Sequence, residues 1–209
     1  SQGRVIVGIG AGWLREEFEA LETRPYDARG KVTDEYIAAF KELWASETPS
    51  FAGDHATFKD ILFAPKPHNG RSMPIWVGGE SGPALRRTAR LGDAWYPGWR
   101  NPKPRFDTPE RLAAGIDRLA RTAEAEGRDP STVDVAYVLF TPVDWKEQPG
   151  HDTPRRLMSG STEQMADDVR TLAGIGVKHL NLTFPSGDLG EMRDAIARFA
   201  EEVLPLARS

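Results

Sequence analysis

Three stretches of the chain hold residues whose types and spacing could do chemistry. The first is VGIGAGWLREEF (Val7 to Phe18), where an apolar, β-rich run passes through Gly8, Gly10 and Gly12 into Trp13 and a charged helical stretch. Glycine-rich strand-to-helix turns often cradle a phosphate. Here, though, the last glycine of a G-x-G-x-x-G fingerprint would fall at Trp13, and no Walker Lys-Ser/Thr pair follows. What the corner retains is an absence of Cβ atoms, which lets a flat ring approach the backbone. Read without a ligand, it is a tight turn.

The second stretch, WVGGESGPALRR (Trp76 to Arg87), sets Gly78, Gly79, Glu80 and Ser81 between a buried strand and the start of a helix. Unpaired N–H groups and the dipole at a helix start favour a phosphate, the glycines permit close approach, and Ser81 adds a hydroxyl. Glu80 fits an anion site only if its side chain points away while its backbone N–H donates. An ordinary capped helix is the alternative. The third stretch, GDAWYPGWRNPKPR (Gly92 to Arg105), places Trp95, Tyr96 and Trp99 beside Arg100, Lys103 and Arg105. In parallel α/β architectures ligands gather at the carboxyl ends of strands, so these aromatics could line a ring pocket and these cations could meet a phosphate or acidic tail. A core tryptophan followed by a solvated basic loop gives the same pattern.

Other chemistry finds little support. The chain has no cysteine, which removes disulfides, thiol nucleophiles and thiolate metal sites. His55, His68, His151 and His179 are scattered without metal-ligand spacing, so no metal is expected. His179, inside a strand, reads as structural. Nothing resembles a nucleophile elbow or a paired general acid and base, and no catalytic residue is nominated.

The elements that would position these stretches alternate along the chain. Arg4 to Ile9 is a β-branched run, expected for a strand covered on both faces. Helical turns from Leu14 to Leu21 break at Arg24-Pro25. A firmer helix, capped by Thr33 or Asp34, runs to Ala45 with Tyr36, Ile37, Phe40 and Trp44 on one face. Residues 46–73 lack periodicity and read as a functional insertion or lid. Pro74 to Val77 is a strand; Ser81 caps a helix to Leu91 with Pro83 in its first turn; Ala94 to Tyr96 is a short strand. A helix from Asp107 or Thr108 to about Glu126 leads to a strand from Val133 to Val143. A helix from Ser161 to Ala173, a strand from Lys178 to Phe184 and a closing helix from Asp188 to Ala207 complete the pattern. Five β-α units in a single domain, 1–209, predict a parallel sheet with right-handed crossovers. Either an open doubly wound sheet or five-eighths of a (β/α)8 barrel fits.

With 27 Lys plus Arg against 31 Asp plus Glu, the net charge of −4 offers no basic excess for a nucleic-acid backbone, and the apolar runs are too short to span a bilayer. The expected partner is a small molecule, with no nucleic acid and no membrane, in a cytoplasmic protein. The chain opens on Ser1 with a core strand at once, as the remainder of something longer would.

In order and spacing, GRVIVGIGAGWLREEFEAL, DEYIAAFKELW, FKDILFAPKP, PIWVGGESGPALRRTARLGDAWYP and GVKHLNL resemble the luciferase-like monooxygenase family of flavin- and deazaflavin-dependent barrel enzymes. The likeness covers essentially the whole chain. The GAGWLREEFEAL variant is most similar to the branch of coenzyme F420-dependent oxidoreductases, and FMN-using relatives share much of the pattern. The resemblance implies an α/β fold, a (β/α)8 barrel of the luciferase-like type, here only about its last five β-α units, with three further units preceding them in family members. It implies that backbone N–H groups at Gly78, Gly79, Glu80 and Ser81 bind the cofactor phosphate, and that Gly10, Ala11 and Gly12 lie beside the ring. The segment Tyr96 to Arg100, with Gly98 and Arg100, would carry further phosphate or tail contacts, and Trp13, Trp95 and Trp99 would line an aromatic substrate pocket. Trp13 stands where sugar-phosphate dehydrogenases of the group carry a catalytic Glu, which argues against that substrate.

The implied activity is that of an oxidoreductase, a monooxygenase or dehydrogenase, using coenzyme F420 or alternatively FMN on a small organic molecule. A non-catalytic flavin-binding or interaction protein of the same fold is the rival. An enzyme of phosphorylated substrates without a redox cofactor is a third reading. Two open sheet edges predict a homo-oligomer.

Overall fold

The alternation of buried strands and capped helices predicts parallel strands, and the computed structural model has them. It describes residues 1–70, 72–98, 104–185 and 187–208. Strand β1 (Val7–Ile9) is followed by helices α1 (Arg15–Ala20) and α2 (Arg29–Ala45) and by a small antiparallel hairpin, β2 (Phe51–Ala52) and β3 (Thr57–Phe58). Then come β4 (Ile75–Gly78), α3 (Gly82–Leu91), β5 (Ala94–Tyr96), α4 (Pro109–Ala125), β6 (Asp134–Pro142), α5 (Thr162–Gly174) and β7 (Val177–Thr183). The chain closes with α6 (Leu189–Arg198), a π-helical turn over Phe199–Val203, and α7 (Leu204–Arg208).

The main sheet runs β1-β4-β5-β6-β7, every neighbouring pair parallel. Spatial order follows chain order with no reversal, which removes the doubly wound alternative and leaves a barrel wall. The wall is not closed: among the described residues β1 and β7 each pair on one side only. It is nonetheless curled. Trp76 on β4 lies against His179 on β7, the rings tilted at 49° with 4.9 Å between centroids, and Asn181 on β7 donates to the Tyr96 hydroxyl of β5 at 2.7 Å. Side chains on strands two and three apart touch because the sheet bends toward the face they share.

The other face carries the core. Ile75 and Val77 pack with Ile37 and Trp44 of α2. Trp95, Val135, Tyr137 and Leu139 pack with Leu85, Leu112, Leu119, Met165 and Leu172 of α3, α4 and α5. Each such side chain withdrawn from water contributes about 2 kcal/mol. The helix starts use the caps read from the sequence. Ser81 Oγ accepts from Ala84 N–H at 3.3 Å, Thr108 accepts from Arg111 N–H at 3.3 Å, Ser161 and Gln164 form a capping box, and Asp188 accepts from Glu191 N–H at 2.8 Å.

Three expectations are corrected. The first strand is three residues long rather than six, and Val5 and Ile6 are 43% and 44% exposed, because β1 is an edge without a second neighbour. Helix α2 begins at Arg29, since Thr33 and Asp34 are not caps: Thr33 Oγ1 donates back to Arg29 O at 2.7 Å, and Asp34 pairs with Arg87. The insertion holds the β2–β3 hairpin, moored by Glu35 of α2, whose carboxylate accepts the N–H groups of His55 and Ala56 at 2.6 Å and Asp54 at 3.1 Å. Desolvation raises the pKa of that carboxyl, but the three backbone N–H donors outweigh it and hold the group below its ordinary value.

One buried polar knot secures the β6–α5 connection. Asp168 accepts from Arg155 at 2.9 and 2.5 Å and from Met158 N–H at 2.8 Å. Asp168→Ala strands a half-buried guanidinium and a buried N–H, and is expected to lower stability by about 3 kcal/mol in urea denaturation; a loss near zero contradicts the role assigned to it.

Candidate functional site

The register of β1 on β4 decides what meets at their carboxyl ends. Ile9 is opposite Val77, so the chain leaves the two strands side by side, into Gly10 on one and Gly78 on the other. Gly10, Ala11, Gly12 and Trp13 line one wall of a cleft of about 770 Å³, and Gly78, Gly79, Glu80 and Ser81 line the other. A Cβ built on Gly10 meets nothing within 4 Å, and one built on Gly78 meets only the carbonyl oxygens of Ile9 and Tyr96, at 3.6 and 3.8 Å. The floor between the corners is therefore bare backbone.

The anion end of the cleft is the start of α3. Pro83 has no N–H, and that of Ala84 goes to Ser81 Oγ. Among the described residues the N–H groups of Ser81 and Gly82 meet no protein acceptor, while that of Gly79 is turned toward Tyr96 O at the end of the β4–β5 ladder. Gly79 adopts φ +104°, a left-handed conformation that glycine takes without strain. The Glu80 side chain turns inward, where its Oε1 accepts Gly98 N–H at 2.9 Å, and this settles how a carboxylate can belong to such a loop. Gly98 is thus a tie behind the loop rather than part of its lining.

Trp95 is a correction. Its side chain is fully buried, edge-on to Phe106 at 5.4 Å, because alternation along β5 turns it toward the helices. It braces the loop from behind by donating Nε1–H to Gly79 O at 2.9 Å. Trp13 is 80% exposed at the mouth of the cleft. Trp99 and Arg100 lie outside the described residues.

Sequence reasoning missed two cations. Arg29 donates to Gly12 O at 3.2 Å and to Tyr26 O at 3.0 Å, and lies 3.8 Å over the Tyr26 ring, whose hydroxyl in turn donates to Trp13 O at 3.0 Å. Arg87, almost fully buried, pairs with Asp34 and donates to Gly30 O at 2.8 Å. Both line the cleft. Arg87 closes the quoted WVGGESGPALRR stretch, one helical turn beyond Pro83, where i,i+4 spacing places it over the same face. Also unread was the polar and aromatic group on the inner face, Trp76, Tyr96, His179 and Asn181; it joins residues far apart in sequence, and only the curl of the sheet assembles it.

The sequence profile described as luciferase-like monooxygenase matches residues 1–149. The chain belongs to the luciferase-like monooxygenase family. A relative, the FMNH2-dependent dimethylsulfone monooxygenase of Pseudomonas putida, is 32% identical over 66% of this chain and 36% of its own length. The pyrimidine monooxygenase RutA of Escherichia coli is 26% identical over 97% of this chain and 58% of its own. The chain thus spans well under two thirds of these relatives. Among solved structures, an F420-dependent secondary alcohol dehydrogenase in complex with an F420–acetone adduct shares the fold at a TM-score of 0.75 and 20% identity, covering 99% of this chain and 71% of that one. The coenzyme F420-dependent tetrahydromethanopterin reductase from Methanopyrus kandleri does so at 0.70 and 14%, over 97% and 74%. No helix among the described residues is long and apolar enough to cross a membrane.

Gly79→Ala tests the conformation on which the loop depends. Its Cβ would sit at φ +104° and 3.2 Å from the Ala84 Cβ, and the expected cost is about 1–2 kcal/mol in chemical denaturation; an unchanged midpoint means the loop does not need its glycine.

Proposed function

We propose that this chain forms the cofactor-holding part of an oxidoreductase, a monooxygenase or dehydrogenase, that uses coenzyme F420 on a small organic substrate, FMN being the alternative. The observation that carries the reading is the cleft shared by the bare corner at Gly10–Gly12 and the start of α3 at Ser81, where the N–H groups of Ser81 and Gly82 are left over. A planar ring needs backbone approach without Cβ atoms, and a phosphate needs convergent N–H donors at a helix start. The two sit side by side here. Membership in the family and the FMNH2- and F420-dependent relatives support the same reading.

When bound, such a cofactor supplies the two-electron redox chemistry. This chain's residues bind and orient. Ser81 and Gly82 donate to the phosphate, with the partial positive charge of the α3 N-terminus behind them. Gly10 and Gly78 present the flat floor. Arg29 pins the corner through Gly12 O, while Trp95 and Glu80 fix the opposite loop from behind. Trp13, exposed beside the floor, offers an apolar face to a substrate of moderate hydrophobicity. The inner face adds a polar contact: Asn181 Nδ2 donates to the Tyr96 hydroxyl, leaving the tyrosine proton free for an acceptor.

Titrations of F420 and FMN, followed by fluorescence, test the reading in paired variants. Gly10→Ala adds a methyl where no atom lies within 4 Å, so the melting temperature should hold while affinity for the ring-bearing cofactor falls by about tenfold or more. Unchanged affinity in a stable Gly10→Ala protein, or no binding of either cofactor by the parent, contradicts the proposal.

A further inference from the structure

The first turn of α3 has two sides. Ser81, Pro83 and Ala84 face the cleft. On the other side Arg86 of α3, with Arg118 and Arg121 of α4, lines a separate groove of about 310 Å³. The two sides meet at Gly82: a Cβ built there would lie 3.4 Å from Arg118 Nη2 and 3.6 Å from Arg86 Nη1. Two guanidinium groups therefore fold over the first residue of the helix.

That placement is electrostatically adverse in the protein alone. A helix start carries partial positive charge and is matched by anions, not cations, and the two guanidinium groups also repel each other. Long exposed arginines are free to separate into water, so nothing in their own packing requires them to converge. Nor does a carboxylate hold them together. Among the described residues the guanidinium groups of Arg86, Arg118 and Arg121 make no hydrogen bond or ion pair, and Glu126, which shares the groove, faces Arg90 at 3.7 Å. An anion placed between them at Gly82 would reverse the sign of every one of these interactions, gaining charge-assisted hydrogen bonds and the helix dipole together.

Resting on the cofactor reading above, we infer that the groove between α3 and α4 is a subsite for a chain of carboxylates that continues from the cofactor's phosphate. FMN ends at its phosphate, whereas the deazaflavin continues past it into an acidic oligoglutamate tail. Because Arg86 and Arg118, which line the groove, reach toward Gly82, where the phosphate-binding N–H groups end, a ligand seated in the cleft enters the groove only if it has such a tail. The groove thus selects F420 over FMN, and it does so without touching the ring.

The test compares F420 carrying its tail, the same deazaflavin cleaved back to its phosphate, and FMN, each titrated into the parent protein and into Arg86→Gln, Arg118→Gln and the double variant. Both substitutions are at exposed positions, and melting temperatures check that the fold is intact. Each lost charge-assisted contact is worth about a tenfold change in affinity. The double variant should therefore bind tailed F420 more than about tenfold more weakly, with a shallower salt dependence, while the tail-cleaved form and FMN bind as they do to the parent. Equal weakening of all three ligands would place the arginines at the phosphate itself and overturn the tail subsite. Unchanged binding of tailed F420 would overturn it also, as an ordinary solvated patch. A parent protein that binds none of the three would refute the cofactor reading, and the subsite with it.

Discussion

The cleft depends on one register. Val7, Gly8 and Ile9 lie opposite Ile75, Trp76 and Val77, and this alignment ends the two strands at the same height, so that two glycine corners open into one space. A slip of one residue in either strand would exchange the faces of its side chains, turning Val7 and Ile9 of β1, or Ile75 and Val77 of β4, away from the core they share with Ile37 and Trp44. Core packing therefore enforces the alignment of the corners. The site inherits its geometry from a hydrophobic requirement that has nothing to do with ligands.

Glycine corners are inexpensive to bend and costly to hold still, and the structure holds these two by different means. At Gly12 the brace is cationic: Arg29 grips the carbonyl oxygen while stacking on Tyr26, whose hydroxyl secures the next carbonyl. At Gly79 the brace comes from the core, where Trp95 donates to the carbonyl and Glu80 ties the loop to Gly98. Both arrangements occupy the carbonyl oxygens and leave the N–H groups of Ser81 and Gly82 for a ligand. A loop built this way presents donors without presenting competing acceptors. Arg87, charged and buried, adds positive potential beneath it, partly compensated by Asp34.

Much of this is legible in the sequence, for local reasons. The Ser81 cap, Pro83 at the helix start and the apolar PIWV run each carry their own signal, and β5 and α3 fall where those signals put them. Pairing of the two glycine stretches follows from adjacent parallel strands. What the sequence hides is direction. Alternation in a three-residue strand is too short to say that Trp95 faces the helices while Tyr96 faces inward, so the tryptophan was expected in the pocket it in fact supports. Likewise His179 reads as one more strand residue until the curled sheet brings it to Trp76. Arg29 sits in a stretch broken by Pro25 and lacking a conventional cap, which concealed both the true start of α2 and its hold on the corner.

The central claim is that a phosphate-bearing planar cofactor spans the cleft with its anion on the N–H groups that begin α3. Backbone amide chemical shifts, followed as the cofactor is added to the isotopically labelled protein, report on those groups directly. The account predicts large, saturating shifts at Ser81 and Gly82, together with ring-current shifts at Gly10 and Gly12. Saturating shifts confined to other parts of the molecule, with these amides unmoved, would contradict it.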